Sequence, residues 1–451
     1  MDKVLKFTED FISGTLPFVL LILGGIFLSI KGRLFQLTGL LKSFGLVKKA
    51  VLKKGKNEKG VTSFQAACTA LSATVGTGNI AGVAGALSLG GAGAVFWMWV
   101  SAFFGMAVKY GEISLSVKFR DGEKLRGGPM YYISSAISKK LKGFAMLFCI
   151  CALPAVIFSG NITQTNAAIT SFSYNIMSKF ILGIIFALFT ALSLKGGIRR
   201  IGKVTEKLVP FMSVVYIMLS LTVICINYKF LPEAFRMIIE GAFSPKAVTG
   251  GAVGSMTRVA FIGASRGIFS NEAGLGTSGM SHSVAVDADY KTQGYFGIFE
   301  VFIDTIVICT LTALTILCSG VNINYGEDAS SYLVINAVST VFGSLSDVLI
   351  AFMMCIFGFS SVIGWAVYGE ICIDFLKKPV LKKIFTFIYP LFCIVGAVCN
   401  TAVVWRLASF FNGIMLIINL PAVIFLSDEF FIKRNKNDRN KNRKFKRKNR
   451  K

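Results

Sequence analysis

Apolar residues fall along this chain in long uninterrupted runs, not in the two-residue alternation of a half-buried strand. Runs of roughly 17 to 25 residues or more, the length a helix needs to cross the hydrocarbon layer, centre near Leu23, Ala73, Phe103, Ala155, Ala187, Met218, Gly267, Thr310, Gly358, Cys393 and Leu416. The pattern predicts an all-α polytopic membrane protein with eleven transmembrane helices. Two of the runs are interrupted. Leu71-Ser-Ala-Thr-Val-Gly-Thr-Gly-Asn-Ile80 and Gly267-Ile-Phe-Ser-Asn-Glu-Ala-Gly-Leu-Gly276 set glycines and polar residues inside apolar frames. Unpaired backbone at that depth cannot face lipid, because each orphan N–H or C=O costs several kcal/mol there. Each break is therefore expected to line a cavity.

Setting aside the first span leaves ten, which divide into five and five of opposite orientation. The two breaks then fall in the first helix of each half. Broken helices in matching positions of inverted halves are the sequence mark of a transport site near the midplane. The predicted division is an N-terminal helix with a basic connection over 1–60, a first repeat over 61–228, a second repeat over 229–430, and a basic disordered tail over 431–451.

Composition places the chain in the bilayer: 54% of its residues are apolar and 16% charged, with a mean hydropathy of +0.66. A net charge of +25 would point to nucleic acid in a soluble domain, but here the bases sit in connections and report topology. Lys and Arg crowd 31–59, 118–142, 195–207, 377–383 and 433–451, while 88–92 and 320–345 hold none. That alternation predicts the N-terminus outside and the C-terminus in the cytoplasm of a plasma membrane protein. The tail Lys433–Lys451 is expected to lie against anionic lipid, and the stretch Phe35–Val51 to lie on the cytoplasmic surface as an amphipathic helix. The first span reads as a retained helix, without a small-residue cleavage site. The cysteines lie mostly in apolar runs, without metal-like spacing to histidine, and read as small packing residues.

Buried acids are costly at depth and are functional candidates. Asp304 in Val301-Phe-Ile-Asp-Thr305 is a possible coupling acid or a partner of polar neighbours. Glu272 in the second break is expected to brace the unwound segment, with proton coupling as the alternative. Glu112 and Glu370 are placed near cytoplasmic helix ends, paired with loop bases.

Five motifs, in order, carry a resemblance: Val75-Gly-Thr-Gly-Asn-Ile-Ala-Gly82, Phe96-Trp-Met-Trp-Val100 with Gly105-Met-Ala107, Gly127-Gly-Pro-Met-Tyr-Tyr132, Phe269-Ser-Asn-Glu-Ala-Gly-Leu-Gly276 and Gly364-Trp-Ala-Val-Tyr-Gly-Glu370. From about residue 60 to residue 420 the chain resembles the alanine/glycine:cation symporters. The resemblance implies the leucine-transporter-like fold with its five-plus-five inverted repeat, and sodium-driven uptake of alanine or glycine without an organic cofactor. Departures are Thr277-Ser278-Gly279, where small Ser-Ala-Pro-like residues are common, and Ser409, where the last helix usually carries an acid.

An amino-acid substrate is a zwitterion, so its site needs donors for a carboxylate and acceptors for an ammonium. The N–H groups of Thr77, Gly78 and Asn79 open a half-helix whose positive end suits a carboxylate. Carbonyls near Phe269 and Ser270 end the other half-helix and suit the ammonium, and Asn79 and Asn271 add side-chain oxygens. Gln164, with Asn161 in the same apolar span, is expected to reach the substrate or to make an interhelical hydrogen bond. Trp365 and Phe269 are candidate pocket walls, or plain packing. By resemblance, one sodium ion sits between the carbonyls of Ser72 and Val75 and the hydroxyls of Ser360 and Ser361, and its binding biases alternating access. Proton coupling through Asp304 or Glu272 is the alternative within transporters. A remote rival of another class, an intramembrane serine protease, starts from Gly276-Thr-Ser-Gly279, with Ser278 as nucleophile and His282 as base.

Overall fold

The computed structural model describes residues 11–52, 60–172, 175–244, 255–327, 329 and 331–431. The basic tail and part of the connection over 31–59 lie outside these residues. Among the described residues the chain is helical, and its β pairing is confined to the isolated bridges Val61–Ala285 and Asp121–Arg126.

In chain order the helices are α1 (Phe11–Lys31), α2 (Phe35–Leu52), α3 (Ser63–Thr74), α4 (Ala81–Gly90), α5 (Gly93–Lys118), α6 (Lys142–Thr170), α7 (Ile176–Leu194) and α8 (Gly197–Ile226). There follow α9 (Leu231–Phe243), α10 (Met256–Asn271), α11 (Thr277–Ser283), α12 (Tyr290–Cys318), α13 (Tyr332–Phe342), α14 (Leu345–Leu376), α15 (Pro379–Val398) and α16 (Thr401–Phe425).

Nine of the described helices are long and apolar enough to cross a membrane, and α3 with α4, bent by 54° across the first break, makes a tenth. The expected eleventh, near Gly267, is not one helix of spanning length. It is α10, of 16 residues, and α11, of 7, separated at residues 272–276. The gap falls inside the stretch Gly267–Gly276 that the sequence marks as a break, so neither piece is of spanning length alone.

The first broken helix is buried on nearly all sides around its break, and the outer helices are not. From Ala66 to Thr74 and from Ala81 to Ser88 the side chains of α3 and α4 are buried, whereas α7 turns Ile176, Leu188 and Phe189 outward. A helix apolar all round belongs in the interior, and one with a large exposed apolar face belongs against lipid. Small residues bring the inner helices into contact. A Cβ at Gly263 of α10 would lie 2.2 Å from the Ala94 carbonyl oxygen of α5, and one at Gly364 of α14 would lie 2.5 Å from Ser72 Oγ of α3.

Helix α2 inverts the usual amphipathic arrangement. Its buried positions are Gln36, Gly39 and Ser43, while Leu37 and Leu41 are exposed. The small face sits on α12, with Phe44 edge-on to Phe299 at 5.3 Å and Lys42 over the Tyr295 ring at 4.2 Å. Three spans contain widened π-helical turns, Phe11–Thr15 at the start of α1, Phe158–Ile162 in α6 and Phe302–Cys309 in α12.

Candidate functional site

The first break opens because Val75 takes ψ 90° and Gly76 is fully extended, which ends α3 and swings the Val75 carbonyl out of the helical ladder. Thr77–Asn79 then forms a single tight turn into α4. Asn79 closes that turn: its Oδ1 accepts from the Gly76 N–H at 2.8 Å. Gly76 is required by space, since a Cβ there would lie 2.3 Å from Ser361 Oγ and 2.8 Å from Gln164 Oε1.

The second break is turned by backbone that side chains resist. Glu272 adopts φ 56°, Gly274 φ 93° and Gly276 φ 79°, and a left-handed non-glycine residue persists only where its surroundings hold it. Glu272 is held by Thr277, whose Oγ1 donates to Glu272 Oε2 at 2.6 Å across the break.

The two breaks meet. Asn79 Nδ2 donates to Ser270 Oγ at 3.0 Å and to Asp304 Oδ1 at 2.8 Å. Ser270 and Thr305 each donate a hydroxyl to Asp304 Oδ2 at 2.8 Å, and Asn271 Nδ2 donates to Thr305 Oγ1 at 3.1 Å. Asp304 is thus a buried carboxylate supplied with donors from both broken helices and from its own π-helical turn. Cys309, read from the sequence as packing, joins the cluster 3.3 Å from Asn79 Nδ2 and 3.4 Å from Ser270 Oγ.

Gln164 reaches the first break directly. Its Oε1 accepts from the Thr77 N–H at 3.1 Å and from Thr77 Oγ1 at 2.8 Å, so a half-helix N–H read as a carboxylate donor is held by a side-chain oxygen. The side-chain oxygens of Asn79 and Asn271 are likewise engaged internally, by the N–H groups of Gly76 and Ala273. Phe269 faces the break, with a Cβ on Gly78 falling 3.4 Å from its ring, and rests on Trp405 at 4.6 Å. Trp365 instead lies against Gly160 and edge-on to Tyr368 at 5.4 Å. Asn161 bonds the Tyr389 carbonyl at 2.7 Å, an interhelical brace.

Ser361 Oγ and Ser360 Oγ lie 3.0 and 3.4 Å from the Ser72 carbonyl oxygen. Ser360 also bonds back to the Phe357 carbonyl of its own helix at 2.9 Å. Two hydroxyls of α14 and a carbonyl at the end of α3 are therefore gathered at one point, with neutral oxygens of the kind hard cations accept.

Several functional side chains escaped the sequence reading. Glu112 is not at a helix end beside loop bases. It is fully buried, and its Oε1 accepts from the Gly276 N–H at 3.1 Å and from Asn419 Nδ2 at 2.5 Å. Asn419 also donates to the Gly274 carbonyl at 2.8 Å and accepts from the Tyr132 hydroxyl, so the Gly127–Tyr132 motif and α16 both stitch the second break. Lys109, one helical turn before Glu112, sends its ammonium to the Asn271 carbonyl at 2.6 Å and to Glu300 at 3.5 Å. A tethered ammonium thus takes the Asn271 carbonyl at the end of α10, one residue beyond Ser270. The Lys109/Glu112 spacing inside an apolar run was the available signal. Glu370 does pair with a base, Lys382, at 3.3 Å. His282 turns Nε2 to Glu300 at 2.5 Å and Nδ1 to Gln293 at 2.7 Å, so neither ring nitrogen serves Ser278 and the protease pair is not formed.

Comparison with known proteins shows the family of the chain. The sodium:alanine symporter family matches the chain over residues 1–451. The chain belongs to that family. It is 35% identical over 431 residues to the sodium/alanine symporter AgcS of Methanococcus maripaludis, covering 93% of each chain. It is 34% identical to the amino-acid carrier protein AlsT of Bacillus subtilis, covering 95% of this chain and 90% of that one. It is 33% identical to the probable sodium/glutamine symporter GlnT of the same organism, covering 96% and 89%.

Among solved structures it matches MhsT in complex with L-phenylalanine, with a TM-score of 0.55 at 13% identity, covering 83% of this chain and 98% of that one. It also matches the Eremococcus coleocola manganese transporter, with a TM-score of 0.54 at 17% identity, covering 81% and 78%. At those identities the likeness shows the fold alone, and that fold is the leucine-transporter-like one. The protein is an integral membrane protein of an amino-acid transport family, and the alanine/glycine:cation resemblance holds.

Proposed function

We propose that this protein imports a small neutral amino acid, alanine or glycine, with sodium, by alternating access between two inverted halves over 61–228 and 229–430. The observation that carries the reading is the meeting of the two breaks at Asn79, which bonds the turn of one broken helix to Ser270 of the other. A symporter must make occupancy of one half felt by the other, and a shared polar junction at mid-chain breaks supplies the link.

In this reading Thr77, Gly78, Asn79, Gln164, Phe269, Ser270, Asn271 and Trp365 surround the substrate. Ser72, Val75, Ser360 and Ser361 hold the sodium ion. Asp304 orders the junction and Glu272 braces the second break. The close approach of Phe269 to Gly78, where a Cβ would fall 3.4 Å from the ring, favours a short side chain, since exclusion by size is what separates homologous amino acids. The bases at the ends of α1, α5, α7 and α14 support an outside N-terminus and a cytoplasmic C-terminus in the plasma membrane, with the basic tail against anionic lipid.

The test is uptake of labelled alanine into proteoliposomes under an inward sodium gradient, against a matched proton gradient in potassium. We expect sodium-dependent uptake that is lost in the Ser360→Ala, Ser361→Ala double variant, because both hydroxyls at the Ser72 carbonyl are removed. Uptake driven by protons alone transfers the coupling to Asp304 or Glu272. Uptake of glutamine in place of alanine and glycine overturns the small-substrate assignment.

A further inference from the structure

The connection between α14 and α15 builds a cleft that the transport reading does not use. Lys124, Lys377, Lys378, Lys382 and Lys383 line it together with Asp374 and Thr386, around a volume of about 610 Å³. Its acids are already matched. Asp374 pairs with Arg126 at 2.9 Å and with Lys382 at 3.0 Å, and Lys382 also holds Glu370. Lys124, Lys377, Lys378 and Lys383 are exposed and form no ion pair with a carboxylate of the described residues. Four positive charges therefore converge on one cleft without acidic partners, beside the N-terminus of the 20-residue α15, whose first-turn N–H groups add to the positive field.

Directly below the lysines, α15 presents an apolar stripe. Val380, Ile384, Phe387, Ile388, Leu391 and Val395 are between 42% and 78% exposed. They recur at three- and four-residue spacing, so they form one continuous face of the helix. A free inorganic anion would satisfy the lysines alone, whereas the stripe, which lies against lipid like the other outer faces, runs on directly from them. An amphiphile with an anionic phosphate head and acyl chains satisfies both.

We propose that this cleft is a binding site for one anionic phospholipid, its phosphodiester held by Lys377, Lys378 and Lys383 and its chains laid along Val380–Val395. Basic pockets at the ends of membrane helices bind anionic headgroups by this chemistry. The site buttresses the end of α14, the helix that carries Ser360 and Ser361. It is separate from the basic tail.

The test uses the full chain in a neutral detergent, with phosphatidylglycerol as probe and phosphatidylcholine as the uncharged control. Retention of lipid is read by native mass spectrometry, and binding by titration. Three lysines near a headgroup contribute about fivefold each, so the Lys377→Gln, Lys378→Gln, Lys383→Gln variant is expected to bind phosphatidylglycerol roughly a hundredfold more weakly. The equal-charge control, Lys444→Gln, Lys446→Gln, Lys448→Gln in the tail, which meets no extended anionic surface in neutral detergent, is expected to lose far less affinity than the cleft variant. Unchanged melting in lipid-free detergent for both variants shows that folding is not the cause. Equal losses in both variants, or none in either, overturn the proposal in favour of diffuse surface attraction. Displacement of phosphatidylglycerol by millimolar inorganic phosphate overturns it in favour of a free-anion site.

Discussion

At the residue scale, two positions concentrate the chemistry of the first break. Gly76 is hemmed in by Ser361 Oγ and Gln164 Oε1, so Gly76→Ala drives a methyl group into the hydroxyl pair around the Ser72 carbonyl. Overpacking of this kind costs about 1–3 kcal/mol. Spent on the ion site, it is expected to raise the sodium concentration for half-maximal uptake roughly tenfold, measurable as a sodium titration of transport. Asn79 serves both breaks. Asn79→Ala orphans the buried Gly76 N–H and removes one donor from Asp304, each a loss of about 1–3 kcal/mol. We expect alanine uptake to fall at least about tenfold in initial rate, with the protein still monodisperse by size-exclusion chromatography. The glycines and asparagines of both breaks were visible in the sequence because they interrupt apolar runs. Their partners were not: Asn79 and Asp304 are 225 positions apart, and periodicity carries no information about such pairs.

At the scale of elements, the breaks are held unequally. The first leans on its own Asn79 and on Gln164 of α6, whereas the second is gripped from α5, α16 and the Gly127–Tyr132 turn through Glu112 and Asn419. Glu112→Ala removes the acceptor of the Gly276 N–H and of Asn419, and is expected to lower stability by about 2–3 kcal/mol. Glu112→Gln, which keeps one acceptor oxygen, is expected to lose about half as much. Thermal unfolding of the detergent-solubilised protein compares the two. The sequence marks the second break only as Gly267–Gly276, a polar and glycine-rich stretch; the left-handed backbone at Glu272, Gly274 and Gly276 narrows it to the five residues between α10 and α11. Hydropathy placed Glu112 at a helix end, since Lys118 closes α5 shortly after it. Charge position along a helix does not report which neighbour covers it, and here the neighbour is the second break.

For the whole molecule, the proposed division puts the hydroxyls of α14 and the end of α3 in opposite halves, so an ion held between them as proposed would oppose their separation. A ligand that binds only the closed arrangement slows opening by the factor 1 + [L]/Kd. At sodium ten times its Kd, hydrogen exchange at the amides of Val75–Ile80 is expected to slow about tenfold relative to potassium, and the effect is expected to vanish in the Ser360→Ala, Ser361→Ala variant. Mass-spectrometric exchange at peptide resolution checks both. The π-helical turn Phe302–Cys309 bears on how such a molecule tolerates change. A widened turn holds a residue surplus to the ordinary helical count, so α12 has room to lose one without shortening its span. Removing a residue before Asp304 would rotate that carboxylate about 100° away from Asn79 and Ser270, while removing one after Cys309 would leave it aimed where it is. Length and aim are thus separate properties of α12, because the turn that sets where Asp304 points does not set where the helix ends.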